Sequence, residues 1–324
     1  MYFDELLKDE KGLPFPPSHK NHVFPVQFRD CLLEIRTNSA KIASSIKYLY
    51  RAIIVSEGNK ADSTPVAYCH FKNNAQYIIT RNSKFAHSAK NLAESVARFD
   101  WMLMSDIVDH HRHLPIIHAS AVAKDRKTVI FVGRSGVGKS SLALLMGLEG
   151  WDFISDDIVM ADKGIQGAPR AFCLAESLTR DLIGKDVPYI EGIKRGGNYI
   201  YIDPSLINIE INSSVVPATH IIFLEKGLTE NKLKPLTPAV TLHHLMENLF
   251  DTSNSFKEKL DILIDVAGNV RGAQLTWCDM SLAIREVKDF VSSGSKCHTA
   301  RHGHQKPLPS GGVPSNSSSH RFFP

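Results

Sequence analysis

The sequence contains no apolar run approaching about 18 residues, so it predicts no membrane-spanning helix. Residues 1–12, MYFDELLKDEKG, include acidic residues and no apolar core, which is not the pattern of a secretory signal. The five cysteines are scattered and form no Cys-x-x-Cys pair, which argues against a disulfide framework and favours reduced thiols. We therefore expect a cytoplasmic protein with no membrane partner.

A strong charge imbalance is also missing. The chain carries 38 basic and 34 acidic residues, a net charge of +4 over 324 residues. Residues 292–324 hold basic residues and no acid, and they account for the whole excess. The rest of the chain is balanced, so charge gives no reason to expect a nucleic-acid partner. With 43% hydrophobic and 8% aromatic residues, the composition is that of a folded globular protein.

The two ends of the chain differ in composition from its middle. Residues 1–22 include three prolines and predict a flexible lead-in. Residues 292–324 are rich in Ser, Pro, Gly and His and predict a disordered tail. Residues 23–90 predict a small N-terminal α+β region. Its expected elements are a strand, a helix and two strands paired across Asn73 and Asn74, at residues 26–36, 39–50, 64–72 and 75–82.

Residues 91–291 alternate between short β-branched apolar runs and helical periodicity, which predicts an α/β fold. A long helix at 91–113 opens this region, with Asn91 and Glu94 as its capping pair. The expected strands are 116–123, 128–133, 153–161, 198–203, 219–224 and 274–279. The expected further helices are 140–149, one capped by Thr237 and running to about 250, 254–267 with Gly268 as its stop, and 281–291.

The clearest chemical motif is the segment Gly133–Ser140, GRSGVGKS, which fits the pattern G-x-x-x-x-G-K-[ST] and is called the P-loop below. Its glycines allow backbone N–H groups to turn towards phosphate oxygens, and the following helix points its positive end at the same anion. Lys139 can reach the β- and γ-phosphates, and the Ser140 hydroxyl can ligate Mg²⁺. The expected nucleotide-binding residues here are Gly133, Arg134, Ser135, Gly136, Val137, Gly138, Lys139, Ser140 and Ser141.

Two adjacent acids, Asp156 and Asp157, begin seventeen residues after Lys139 within an expected strand. Because side chains alternate along a strand, the two carboxylates diverge unless they lie at its end. If this strand neighbours the strand before the P-loop, one carboxylate can hold Mg²⁺ and the other can accept a proton from an attacking hydroxyl. A solvated turn at the end of the strand is the alternative interpretation.

These motifs together resemble a known family. His118-Ala119, followed by Gly133–Ser140 and then by Ser155-Asp156-Asp157, is similar to the catalytic core of HPr kinase/phosphorylase and its relatives. The similarity covers about residues 114–175 and extends weakly to about 291. The chain is closer in pattern to the HPr-kinase-like proteins, some of which phosphorylate the C-terminal serine of a lasso-peptide precursor.

The resemblance implies a P-loop kinase core of the HPr kinase/PEP carboxykinase type that uses ATP and Mg²⁺. In that arrangement Lys139 and the loop amides hold the ATP phosphates, and Ser140 binds magnesium together with Asp157. Asp156 is the general base for a serine hydroxyl, and His118 lies near the γ-phosphate. Relatives of the family form hexamers, so a homo-oligomer is left open, although the sequence carries no interface signal.

The chain departs from the family pattern after the acid pair, where the family's Glu-Ile-Arg-Gly-Leu-Gly signature is absent. Glu176 is the candidate replacement for the signature's acid as a metal ligand, with an exposed loop glutamate as the alternative. Arg195, on a Gly-rich turn, is a candidate to clamp the transferring phosphate, and a solvated turn explains it equally well. The reverse phosphorylase reaction and HPr as the substrate are left open.

Histidines near the end of the long helix suggest a metal cluster at first sight, together with Asp109. His110 and His113 could share a helix face, whereas His111 does not lie on it. Histidines are also favoured in the last turn of a helix by its dipole, so we expect no metal site there.

The sequence therefore favours an ATP-dependent serine kinase with a peptide or protein serine as its substrate. A kinase that acts on a small hydroxyl-bearing metabolite is a second interpretation, since such enzymes also place acids on the strand after a P-loop helix. A non-catalytic ATP-binding regulatory protein is a third, and it would use Lys139 and Ser140 without needing Asp156.

Overall fold

The computed structural model describes residues 22–56, 66–73, 76–176, 183, 187–194, 197–250 and 256–293. The predicted lead-in and tail lie outside these residues apart from His22 and two residues at the start of the tail, and Arg195 lies outside them as well. The strands in chain order are β1 (His22–Phe28), β2 (Cys31–Thr37), β3 (Val66–Asn73), β4 (Gln76–Arg81), β5 (Lys84–Ala89), β6 (Ile116–Lys124), β7 (Lys127–Val132), β8 (Asp152–Ser155), β9 (Ile158–Ala161), β10 (Ile165–Gly167), β11 (Phe172–Ala175), β12 (Ile190–Lys194), β13 (Gly197–Ile202), β14 (His220–Lys226), β15 (Lys232–Leu236) and β16 (Arg271–Trp277).

Six α-helices accompany these strands in the described part of the chain. They are α1 (Ala40–Tyr50), α2 (Leu92–His110), α3 (Lys139–Leu148), α4 (Pro238–Glu247), α5 (Phe256–Asn269) and α6 (Met280–Ser292). Side-chain caps start several of them as the sequence predicts: Asn91 accepts the N–H of Glu94 before α2, and Thr237 accepts the N–H of Val240 before α4. None of the described helices has the length and apolar character needed to cross a membrane.

The N-terminal region forms a five-stranded sheet in the order β1-β2-β3-β4-β5. Strands β2 and β3 are parallel and are connected through α1, and the other pairs are antiparallel hairpins. The single strand predicted at 26–36 is wrong, because the chain turns at Arg29 and Asp30 between β1 and β2. Arg29 takes a positive φ of 53° there without a glycine. The mark of the break in the sequence is weak: the apolar alternation moves from even-numbered to odd-numbered positions across the polar pair Arg29-Asp30.

The main sheet has eight strands, with β10-β9-β6-β7-β14-β16-β15 as its order and β8 also paired to β6. Strands β7, β14 and β16 are parallel to one another, and helices cover the sheet. A separate sheet contains β11, β13 and β12. The predicted mixed α/β class is therefore confirmed, whereas the HPr kinase/PEP carboxykinase type of core stays a prediction.

Two further predictions about elements are wrong. The strand expected at 153–161 is interrupted, so that β8 ends at Ser155 and β9 begins at Ile158. The Ser155 hydroxyl accepts the N–H groups of Asp157 and Ile158, which turns the chain at this point. The helix expected to stop at Gly268 continues to Asn269, since a single glycine is tolerated near a helix end.

Helix α2 packs against the N-terminal sheet on one side and against strands of the other two sheets on the other. Phe99 and Leu103 of α2 belong to a buried cluster that contains Ile35 and Tyr68 of the N-terminal sheet. The same cluster contains residues of β9 and β13, with Ile158, Met160 and Tyr201 among them. The N-terminal region is thereby held against the strands that carry the acid pair.

His70, buried between β3 and α2, predicts a pH dependence of folding stability. Its Nε2 lies 2.5 Å from the Ser95 hydroxyl, its ring stacks on Phe99, and burial lowers its pKa to about 3. The unfolded chain titrates near 6.5, so this contribution is complete above that pH and is lost as pH falls towards the folded pKa. We expect a loss of about 2 kcal/mol from this group between about pH 7.5 and about pH 5.

Urea denaturation of wild type and His70→Gln at the two pH values measures this effect. Gln keeps a polar end for Ser95 but does not titrate, so the variant should lose correspondingly less stability on acidification. The same loss in both proteins would contradict the assignment.

Candidate nucleotide and phosphate site

The P-loop connects β7 to α3, and its backbone requires glycine at two points. Gly138 has a φ of 101°, and a Cβ there would lie 2.6 Å from the ring of Trp277. A Cβ on Gly133 would lie 2.9 Å from the carbonyl oxygen of Leu224. The Trp277 indole N–H donates to the Val137 carbonyl at 3.0 Å, which anchors the loop to β16. The loop is thus held against β14 and β16 of the main sheet, and a larger residue at Gly133 or Gly138 would strain its backbone.

Lys139 is folded back onto the loop. Its side chain is buried, and Nζ donates to the carbonyl oxygens of Gly133 at 2.8 Å and Arg134 at 3.2 Å. Burial lowers the pKa of Lys139, and Asp157 and Asp156 act against that shift. Lys139 is also the first residue of α3, and a cation at the N-terminal end of a helix is suited to an anionic ligand.

The acid pair lies in the break between β8 and β9, directly beside the first turn of α3. The Ser140 hydroxyl donates to the Asp156 carbonyl at 3.2 Å, and the Ser120 hydroxyl donates to the same oxygen at 2.9 Å. Asp156 and Asp157 both line one cavity of about 460 Å³, which is also lined by Ser135, Lys139 and Ser140. The interruption of the strand brings together two side chains that an unbroken strand would have pointed apart.

The two acids have different surroundings. The Asp156 side chain is buried, and its Oδ2 accepts the Cys173 N–H at 2.7 Å, while Oδ1 has no hydrogen-bond partner among the described residues. Burial raises the pKa of Asp156, although Arg170 acts in the opposite direction. A carboxylate with a raised pKa and an oxygen that is not engaged in a hydrogen bond is suited to accept a proton.

Asp157 is about one-third exposed and is held from two sides. Its Oδ1 lies 3.1 Å from His118 Nε2, and its Oδ2 accepts a hydrogen bond from Arg170 Nη2 at 3.2 Å. His118 lies on β6 and also lines the cavity, with its ring beside Phe250. His118 therefore contacts Asp157 at the edge of the cavity and is not buried in the hydrophobic core.

Sequence reasoning missed Arg170, between β10 and β11. The side chain is only 2% exposed and lies 3.2 Å from Asp157, 3.8 Å from Asp156 and 3.5 Å from Asp100 of α2. Burial alone would lower the pKa of Arg170, but the three carboxylates hold it well above its usual value. No motif surrounds this residue, since Pro169 and Arg170 stand in an ordinary connection between short strands.

The charge network extends beyond Arg170 into the N-terminal region. The Tyr50 hydroxyl of α1 donates to one oxygen of Asp100 at 3.1 Å, and the Tyr201 hydroxyl of β13 donates to the other at 3.2 Å. The network therefore ties α1, α2 and β13 to the acid pair. The sequence does contain a sign of this network. Asp100 lies on the same face of α2 as Val96 and Leu103, and an acid on an apolar helix face needs a buried partner for its charge.

The other predicted site residues are placed as follows. Gly136, Gly138 and Ser141 line the same cavity as the acid pair. Gly133, Arg134 and Val137 line a second cavity of about 810 Å³ on the other side of the loop, which also includes Lys226 and Gln274. Glu176 is half-buried and follows Ala175, which lines the first cavity, but it is not itself among the described lining residues. Arg195 lies outside the described residues.

No protein-family model matches the sequence, and no curated protein matches it. Among solved structures, the chain is similar to the Hpr(Ser) kinase/phosphatase from Coxiella burnetii. The identity is 15% and the TM-score is 0.29, over 55% of this chain and 91% of that chain. A TM-score this low does not establish a shared fold.

Proposed function

We propose that this protein is an ATP-dependent serine kinase that transfers the γ-phosphoryl group to a serine hydroxyl of a peptide or protein. The supporting observation is the meeting of the P-loop, the Asp156–Asp157 pair and Arg170 at one cavity. Phosphoryl transfer depends mainly on positioning and on positive charge near the transferred group, and this cavity supplies both.

The phosphates of ATP would lie against the loop amides at the N-terminal end of α3. Lys139 would exchange the carbonyl oxygens of Gly133 and Arg134 for phosphate oxygens, since it already lies at the mouth of the loop. The Ser140 hydroxyl and the Asp157 carboxylate are hard oxygen ligands of the kind Mg²⁺ prefers, so the residues present fit this ion. Bound Mg²⁺ would neutralise charge on the β- and γ-phosphate oxygens.

Asp156 would act as the general base. Its carboxylate would take the proton from the serine hydroxyl while the serine oxygen forms a bond to the γ-phosphorus. The bond between the γ-phosphorus and the bridging oxygen breaks in line, and ADP carries away that electron pair. His118 and Arg170 would hold Asp157 in place beside the reacting group.

A smaller cavity supports a peptide acceptor over a small metabolite. It encloses about 230 Å³ and shares Asp157 and Arg170 with the phosphate cavity. Its other lining includes the apolar side chains of Trp101, Met104 and Phe250, and Trp101 is 48% exposed. An acceptor that places an apolar side chain there would present a neighbouring serine to the acid pair. A lasso-peptide precursor ending in serine is the specific acceptor suggested by the motif resemblance.

Transfer of labelled γ-phosphate from ATP to a serine-ended peptide tests the proposal. We expect labelling by the wild-type protein and a loss of about 10²–10³-fold in Lys139→Ala, because the variant removes a charge that stabilises the transition state. Lys163→Ala is the matched control, since Lys163 is exposed in the turn between β9 and β10.

Three results would overturn the proposal. Label that appears on a small hydroxy metabolite and not on the peptide would favour the small-molecule kinase. Tight ATP binding with no transfer to any acceptor would favour a regulatory nucleotide-binding protein. Equal labelling by wild type and Lys139→Ala would exclude the P-loop as the phosphate site.

A further inference from the structure

A second group of polar side chains lies outside the phosphate cavity. His110 is the last residue of α2, His111 follows it, and Asp30 stands in the turn between β1 and β2. The ligand atoms of these three residues all lie within 4.8 Å of one another. The sequence analysis weighed these two histidines with Asp109 and His113 and expected no metal site, whereas the fold brings Asp30 to them, 81 residues away from His111 along the chain.

Both ring nitrogens of His111 face oxygen atoms that accept hydrogen bonds. Nδ1 lies 2.8 Å from the Ile107 carbonyl oxygen, and Nε2 lies 2.9 Å from Asp30 Oδ1. A neutral imidazole carries one N–H, so donation from Nδ1 leaves the Nε2 lone pair facing a carboxylate. The His111 side chain is only 1% exposed, so water has little access to the ring. A divalent cation shared by Nε2 and the carboxylate would remove this conflict.

Two distances in the cluster are close to those between ligands around a small ion. Asp30 Oδ1 lies 2.9 Å from His111 Nε2, and Asp30 Oδ2 lies 3.4 Å from His110 Nε2. Neighbouring ligands in a tetrahedral zinc site, with bonds of about 2.0–2.1 Å, lie about 3.3 Å apart. In known metal sites the second ring nitrogen of a histidine ligand commonly donates to a carbonyl oxygen, which fixes the orientation of the ring. The hydrogen bond between His111 Nδ1 and the Ile107 carbonyl is of this kind. Asp30 and His110 are exposed, so a water molecule has access to a remaining coordination position.

We propose that Asp30, His110 and His111 form a binding site for a divalent transition-metal ion, with Zn²⁺ as the best match to two imidazoles and one carboxylate. The ion would join the β1–β2 turn to the end of α2 and so fasten the N-terminal sheet to the helix that carries Asp100. The site is independent of the proposed kinase activity, and it is tested without any measurement of catalysis.

The experiment uses the full chain stripped of metal with a chelator and titrated with Co²⁺, whose absorption spectrum reports coordination, followed by displacement with Zn²⁺. We expect one Co²⁺ per chain that Zn²⁺ displaces, and a Zn²⁺-dependent rise in the melting temperature. Asp30→Ala and His110→Ala, both at exposed positions, should each weaken binding at least about tenfold. Asp109→Ala and His113→Ala are matched controls that should bind as wild type does.

The tail histidines provide the competing explanation. A variant with His298, His302 and His304 replaced by alanine should keep the bound ion and the gain in melting temperature. No Co²⁺ binding by the wild type would mean that His111 and Asp30 form only an ion pair. Binding that survives Asp30→Ala but is lost in the tail variant would place the metal on the tail and overturn the proposal.

Discussion

Replacement of Asp156 by asparagine is expected to lower kcat for the serine peptide by about 10²–10⁴-fold, the range for loss of a general base. The amide still accepts the Cys173 N–H through its oxygen but cannot take a proton. The KM for ATP should change little, because Asp156 is not assigned to the phosphates or to the metal. Steady-state kinetics with varied ATP and peptide separate these two parameters.

The pH dependence of the wild-type activity expected under this proposal provides a second readout for the same residue. Burial raises the pKa of Asp156, so the basic carboxylate is lost at a higher pH than an exposed aspartate would lose it. The acid limb of kcat/KM should therefore fall above the usual range for aspartate, and this limb should be missing from the residual activity of Asp156→Asn.

Asp157→Asn is the informative comparison. If Asp157 binds the metal, this variant should need more Mg²⁺ for half-maximal activity, and excess Mg²⁺ should restore part of the rate. Asp152→Asn, at the start of β8 and outside the described lining of the cavity, is the control and should behave as wild type. Full activity of Asp156→Asn, combined with a loss in Asp157→Asn that Mg²⁺ does not restore, would move the base to Asp157 and its His118 partner.

The parts of the site within one short stretch of chain were predictable from sequence. The Gly133–Ser140 spacing, an apolar strand before it and a helix after it are local properties, and the structure has β7 and α3 at those places. To predict that the acid pair lies beside the P-loop, we had to assume in addition that the strand carrying the pair neighbours β7. In the structure β8 and β9 instead pair with β6, which itself pairs with β7.

The features that sequence reasoning missed depend on long-range contacts or on turns that carry only weak sequence markers. A turn at Arg29 and a turn after Ser155 each separate two short apolar strands. Neither turn contains glycine or proline, and polar residues, Arg29-Asp30 in one and Ser155-Asp156-Asp157 in the other, are the markers that the sequence offers there. Arg170 and Asp30 are similar cases, because their partners come from other elements and become visible only when those elements pack together.

Replacement of Arg170 by methionine is expected to reduce the free energy of unfolding by about 3–5 kcal/mol, the usual result of removing one partner of a buried ion pair. Methionine fills part of the volume but leaves the buried Asp100 and Asp156 without their counter-charge. Urea denaturation near neutral pH measures the change. Arg36→Met is the control, because Arg36 and Glu34 are 46% and 27% exposed in their pair and such pairs contribute about 1 kcal/mol or less.

The sign of the pH dependence distinguishes lost charge from lost packing in Arg170→Met. Burial raises the pKa of Asp156 and the Arg170 guanidinium opposes that shift, so without the guanidinium the folded variant binds protons at Asp156 more strongly than the unfolded chain does. Acidification towards pH 5 should then recover part of the lost stability in the variant, relative to the change in wild type. Asp100→Asn added to Arg170→Met should likewise recover stability, because it removes one of the uncompensated charges. A loss no greater than in Arg36→Met, or a loss unaffected by pH and by Asp100→Asn, would show that Arg170 is not the counter-charge of the acid pair.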